Sequence, residues 1–348
     1  MKKFQIMIAI CLVLMLVLAF AGCGGSTATP DKSADTSQET KSVETSEEIK
    51  ANYKIAIVPM ALNDPYQVMM SNAAKIRCDE LGVEGVIMAP GTGSMADMAG
   101  QVELVENLIS NGTYSGIVIA PVSKDGIAVC IKKCQDAGLP IVLMDSNADQ
   151  DALVADGYEK VPYIGTDNST AAIATGQWIR ENYAEGVKLA KINGAEGHDN
   201  GDKRKFGLDK GLDGWANIVA EQSTQWAVDD AYKATQNMLA ANPDVEVFWC
   251  ACDALGVGCV RALEEAGVQD KVDVIAYDGT KDGLDLVIAG SEVANTAQFP
   301  DNMGKGAVDI LIQVLDGEDY ELVTDSGYDI IDSIEKAKAL NERLSAYL

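Results

Sequence analysis

The chain is short of basic residues and of histidine, and each shortage removes a class of function. Lys and Arg number 27 against 53 Asp and Glu, a net charge of −26. Such a surface repels phosphate backbones and anionic headgroups, which argues against nucleic acid and acidic membrane faces as partners. His198 is the only histidine, and none of the 8 cysteines forms a Cys-X-X-Cys pair, so neither the ligands nor the spacing of a zinc site is present. The same scarcity leaves no serine or cysteine beside a credible base, and no nucleophilic triad is visible. A phosphate-cradling GxxxxGK is missing, and Gly91-Thr92-Gly93 is too short a glycine match to replace it. The longest apolar run, residues 6–20, is roughly 15 long where a membrane span needs about 20.

That run follows Met1-Lys2-Lys3 and leads into Ala21-Gly22-Cys23, the basic, apolar and small-residue order of a secretory signal that ends in a cysteine. The pattern resembles a bacterial lipobox. It implies a signal peptide over 1–22, lipidation of Cys23, and a folded part held outside the cytoplasm by a lipid anchor; an uncleaved anchor is the alternative. Residues 23–50 are rich in Ser, Thr, Glu, Asp and Lys and cannot bury enough apolar surface to offset chain entropy, so they read as a flexible linker. About 300 residues remain, enough for two domains. The cysteines beyond Cys23 are Cys78, Cys130, Cys134, Cys250, Cys252 and Cys259. Domains of this size do not need staples, so these are expected as packed free thiols.

From Tyr53 onward, β-branched runs alternate with amphipathic stretches. Strands are expected at 54–58, 85–89, 116–120, 140–145 and 163–166, then at 188–193, 245–251, 272–277 and 293–298. Helices are expected at 66–81, 95–110, 124–137, 171–183, 231–241 and 254–266. Continuous apolar strands separated by such helices indicate an α/β fold with parallel sheets covered on both faces. The expected architecture is two doubly wound, Rossmann-like lobes joined by three crossover strands. One lobe takes 54–166 plus 299–328, the other 167–298 plus 329–348. Ligands of doubly wound sheets sit beyond the carboxyl ends of the strands.

Those ends carry Asp64 and Tyr66, Asp145, then His198, Asn200 and Arg204, with Cys252, Asp253, Asp278 and Gln298 further on. An Asp at such a place often merely caps the next helix. Recurrence across six strand ends favours a lined cleft. Carboxylates, amides, one Arg and the rings of Tyr66 and Trp226 suit a polyhydroxylated ring, whose hydroxyls pair with charged groups while its C–H faces lie on aromatics.

Over residues 54 to about 332 the chain resembles the bacterial sugar-binding proteins of the ribose and glucose/galactose type, type I periplasmic binding proteins that serve ATP-binding-cassette importers. The resemblance is carried by Asn63-Asp64-Pro65-Tyr66, Tyr163-Ile164-Gly165-Thr166-Asp167, Gly197-His198-Asp199-Asn200 with Arg204, and Ala240-Ala241-Asn242-Pro243-Asp244-Val245 leading to Cys252-Asp253-Ala254. Ala276-Tyr277-Asp278-Gly279-Thr280 and Ala297-Gln298-Phe299-Pro300-Asp301 complete it. It implies hydroxyl contacts from Asp64, Asp145, His198, Asn200, Arg204, Asp278 and Gln298, and stacking faces from Tyr66 and Trp226. Ser146 stands where the ribose type has Arg, Asn200 where the glucose type has Asp, Cys252 where Asn is usual, and Ala120 replaces a polar residue, which leaves the sugar open. The glucose type's calcium loop has no counterpart between Glu181 and Lys188. The implied function is capture of a monosaccharide or polyol by a monomeric, lipid-anchored protein that hands it to a membrane permease, without cofactor, metal or catalysis. A sensor protein for a chemoreceptor or kinase is the alternative, and a glycoside hydrolase working through Asp64 and Asp278 a more distant one.

Overall fold

The computed structural model describes residues 52–348, so the expectations for the signal segment, Cys23 and the linker fall outside the described residues. Strands β1 (Lys54–Val58), β3 (Gly116–Ile119) and β4 (Ile141–Met144) are buried along nearly their whole length, as strands covered on both faces must be. With β2 (Glu84–Ile87), β5 (Tyr163–Gly165) and β11 (Val323–Asp325) they form one parallel six-stranded sheet in the order β11-β5-β4-β3-β1-β2. The second sheet is built from β6 (Lys188–Asn193), β7 (Asn217–Ser223), β8 (Val247–Cys250), β9 (Asp273–Asp278), β10 (Ala294–Gln298) and β12 (Tyr328–Ile331). Its order is β12-β10-β9-β8-β6-β7, parallel except where β12 runs against β10. The two sheets are the cores of two α/β lobes. Three strands escape the apolar-run criterion, namely β7, β11 and β12. All three are edge strands with partly exposed faces, and none carries more than three apolar residues in a row.

Both sheets reverse direction of growth at an inner strand. β1 lies between β2 and β3, and β6 between β7 and β8, so each lobe has its crevice beyond the carboxyl ends of those strands. The helices that follow start there: α1 (Pro65–Leu81) after β1, α2 (Met98–Asn111) after β2, α3 (Lys124–Ala137) after β3 and α4 (Gln150–Ala155) after β4. In the second lobe the helices are α5 (Asn168–Asn182), α6 (Asp199–Leu212), α7 (Val228–Ala241), α8 (Asp253–Ala266) and α9 (Lys281–Ala289). Helices α1, α2, α3 and α5 are each capped by a side chain, Asp64, Asp97, Ser123 and Asp167, accepting from first-turn amides. The capping role foreseen for an Asp after a strand thus holds for Asp64 and not for Asp145.

The chain passes between the sheets after β5, before α10 (Pro300–Asp316) and between β11 and β12. Two of these passages are stitched together: Thr166 Oγ1 lies 3.2 Å from Ser326 Oγ and donates to Gly327 O at 3.1 Å, and Ser326 N donates to Gly165 O. The last helix, α11 (Ile334–Leu344), also joins the lobes. Arg343 makes a two-pronged bond to Asp301 of α10 at 2.9 Å for each prong, and the Tyr347 carbonyl accepts from Asn72 of α1. Met69 of α1 is buried in one cluster with Leu284, Val287, Leu340 and Leu344. The cysteines Cys78, Cys130, Cys134, Cys250, Cys252 and Cys259 are free and buried. Burial pushes the Cys78, Cys130 and Cys134 thiols up to about 12, which keeps them inert.

Candidate ligand-binding cleft

Asp145 is the centre of the first lobe's contribution. It directly follows β4, is 5% exposed, and holds φ at +68°. Gln67 Nε2, one turn into α1, donates to its Oδ2 at 3.5 Å, and the same Gln67 accepts from the Met60 amide through Oε1. From the second lobe, Asn200 in the first turn of α6 donates to Asp145 Oδ1 at 3.3 Å and to Ser146 Oγ at 3.2 Å. Burial pushes the Asp145 carboxyl up to about 7, against the pull of Arg204 and with a further push from Asp278 and Asp64.

Arg204 is the centre of the second lobe's contribution. Only 4% exposed, it donates through Nε to Asn168 Oδ1 at 2.8 Å and through Nη1 to Ala251 O at 2.8 Å. Nη1 also meets Asp278 Oδ1 at 2.9 Å, and the guanidinium lies over the Tyr277 ring at 4.0 Å. Gln298 Nε2 donates to the same Asp278 oxygen at 2.7 Å. Burial lifts Asp278 above the usual carboxylate range despite these partners. Burial by itself would lower Arg204, but the neighbouring acidic groups, Asp278 first among them, outweigh it and hold the guanidinium raised and charged.

The remaining candidates divide. Asp64 is half-buried, its carboxyl raised by burial and felt by both Asp145 and Asp278. The Tyr66 hydroxyl donates to Met303 Sδ at 3.3 Å, so its ring is wedged in the first lobe's core while sensing Asp145, Asp278 and Arg204. Cys252 is buried beside Asp278 and Arg204. His198 and Trp226 pair edge to face at 5.4 Å. The Trp226 indole lies so close over Gly194 that a Cβ there would be 1.9 Å from the ring. Burial and Arg204 hold His198 below its usual range, hence uncharged at neutral pH. It lines a cavity of about 180 Å³ between the lobes with Val122, Ser123, Ser146, Gly197 and Lys124, and Lys124 reaches across to Asp199 at 3.0 Å. Asp253 stands apart. Its carboxylate is taken up inside the second lobe by Thr280 and Asn295, because it occupies the first turn of α8 beneath the start of α9. Gln67, Asn168, Tyr277 and Lys124 escaped the sequence reading; each lies at or within two residues of a strand end or helix start, but nothing in one sequence tells which way they turn.

Eight buried polar side-chain atoms have no partner among the described residues; Asn200 Oδ1, Gln298 Oε1 and His198 Nδ1 lie among the cleft candidates, whereas others, such as Trp249 Nε1 and Glu292 Oε1, lie inside the second lobe. Unmatched polar atoms of this kind are rare in native interiors, and the three in the cleft are free to meet another group. Two doubly wound lobes with facing crevices, and polar side chains from both meeting between them, define a hinged binding protein in its class. Residues 55–319 match the periplasmic binding protein domain family, and the chain belongs to that family. Its proteins work outside the cytoplasm. Similar curated proteins include the ribose import binding protein of Escherichia coli strain K12, 29% identical over 265 residues, covering 76% of this chain and 85% of that one. The D-allose-binding periplasmic protein of the same organism is 29% identical over 260 residues, 74% of this chain and 83% of the other. Among solved structures, a periplasmic solute binding protein of an ABC transporter from Actinobacillus succinogenes 130z, with bound D-allose, aligns with a TM-score of 0.78 and 26% identity, over 82% of this chain and 99% of that one. These relatives are sugar-binding proteins, one of them named for import and one for an ABC transporter, and the resemblance read from the sequence is to the same group.

Proposed function

We propose that the chain captures a monosaccharide or related polyol between its lobes and delivers it to an ABC permease. The observation that carries this is the junction at Asp145, where Asn200 of one lobe bonds Asp145 and Ser146 of the other amid acceptors without protein partners. Asp64, Tyr66, Asp145, His198, Asn200, Arg204, Trp226, Asp278 and Gln298 form the ligand shell in this reading, with Cys252 at its edge. An acid near neutrality, such as Asp145, donates to one hydroxyl oxygen and accepts from another, which suits hydroxyls and needs no reaction. The ribose- and allose-binding relatives support the sugar class. The three passages between the lobes act as the hinge, separating 54–166 plus 299–328 from 167–298 plus 329–348, and ligand favours the closed arrangement because only there does it bond both halves.

Isothermal titration with D-ribose, D-allose, D-glucose, D-galactose and myo-inositol is expected to give micromolar or tighter binding for at least one; heat from none of them sinks the reading. The Cys23 anchor is tested separately. A Cys23→Ser chain is expected to leave the membrane fraction for the soluble one, and retention on membranes removes the anchor from the account.

A further inference from the structure

Asp278 holds a backbone conformation that residues with side chains rarely adopt, φ +116°, and Gly279 follows at +71°. Such backbone persists only where the surroundings over-determine it. The restraint is a buried chain of acid, amide and acid in the second lobe. Asn295 Oδ1 accepts from the Gly279 amide at 2.9 Å. Both hydrogens of the Asn295 amide go to acids, one to Asp253 Oδ1 at 2.6 Å and one to Glu292 Oε2 at 3.1 Å. An amide so engaged must turn its oxygen to Gly279, since no other orientation satisfies two acceptors and one donor. Asp253 Oδ2 in turn accepts from the amide and the hydroxyl of Thr280 at 2.7 Å each, so residues 279 and 280 are both fixed. Asn295, Asp253 and Glu292 are all at most 2% exposed. Glu292 faces Asp253 and Cys259 of α8, with Cys250 of β8 also within electrostatic reach. Burial first, then Asp253, lifts its carboxyl far above the usual range, so it serves Asn295 as a neutral acceptor.

We propose that Asn295, oriented by Asp253 and Glu292, is the positioning residue that holds the Asp278 carboxylate at the point where Arg204 and Gln298 meet it, and thereby sets ligand affinity. Only the last clause rests on the binding reading above. Asn295→Ser in the full-length chain is expected to speed hydrogen exchange at the Gly279 amide and to weaken D-allose or D-ribose binding, each by about tenfold or more, because a buried donor loses its partner. If Asn295 acts through Asp278, the same change in an Asp278→Asn background moves affinity by less than about twofold. Glu292→Gln keeps an acceptor for Asn295 and is expected to exchange and bind as the unaltered chain does. Should Asn295→Ser fold poorly, the Asn295→Ala, Glu292→Leu pair removes Glu292 together with its partner, keeps Asp253 on Thr280, and leaves the Gly279 amide unmatched in a packed interior. Unchanged exchange at Gly279, or a full additive loss in the Asp278→Asn background, overturns the proposal. If no sugar binds the unaltered chain, the function reading alone fails; exchange at Gly279, with the Asp278–Arg204 separation in a crystal of the variant, still decides whether Asn295 positions Asp278.

Discussion

Asp278→Ala is expected to lower the unfolding free energy by about 3–5 kcal/mol, the usual consequence of leaving one member of a buried ion pair alone. Arg204 would keep its bonds to Asn168 and Ala251 O but lose the carboxylate that offsets its burial, and Gln298 Nε2 would lose its acceptor. Sugar affinity should fall with it, beyond the reach of calorimetry, since Asp278 and the guanidinium it orients both belong to the proposed shell. Replacing both partners at once, Arg204→Met with Asp278→Leu, should destabilise less than either single change, because no lone charge remains inside. Urea midpoints for Asp278→Ala, for each single change and for the double variant check this. Equal stability of Asp278→Ala and the unaltered chain would mean that Arg204 is less dry than its burial implies.

The second large effect is of pH. Asp145 titrates near 7 in the folded protein, pushed there by burial, and Asp253 is raised by burial as well, whereas an exposed Asp titrates near 4. Between those values the folded chain binds more protons than the unfolded one, so stability falls as pH rises. The contribution is complete below pH ~4 and lost as pH climbs through 7 and beyond. The expected result is a Tm about 10 °C lower at pH 9 than at pH 5 by scanning calorimetry. Asp145→Asn should flatten the part of the curve around neutrality. A Tm that climbs over the same interval would show that Asp145 is ionised throughout, with its pairing to Arg204 outweighing its burial.

How much of this could be read from the residues alone depended on burial. Ile55–Val58 and Ile117–Ile119 announce themselves because a strand packed on both faces must be apolar throughout. Asn217–Ser223 does not, since it pairs only with β6 and keeps much of its surface in water. Helix α6 is concealed for a different reason. Gly207 and Gly211 argue against a helix, yet they are there because α5 lies against them, a Cβ at Gly211 falling 2.2 Å from the Ile173 carbonyl. In the cleft, strand ends located Asp145, Asn200, Arg204, Asp278 and Gln298, which the fold does bring into mutual contact or electrostatic range. The same rule drew in Asp253, and only the fold reveals that its carboxylate is already claimed by Thr280 and Asn295. Tyr277 was invisible because strand alternation assigns it a core face, and a core face is also where a guanidinium can stack.

The terminal helix offers a handle for sensor engineering. Arg343 on Asp301, Tyr347 on Asn72 and the wedge of Met69 all tie the two halves together from positions outside the proposed ligand shell. Trimming Met69 to a smaller apolar residue, or loosening Arg343, would therefore tune detection range while leaving chemical selectivity intact.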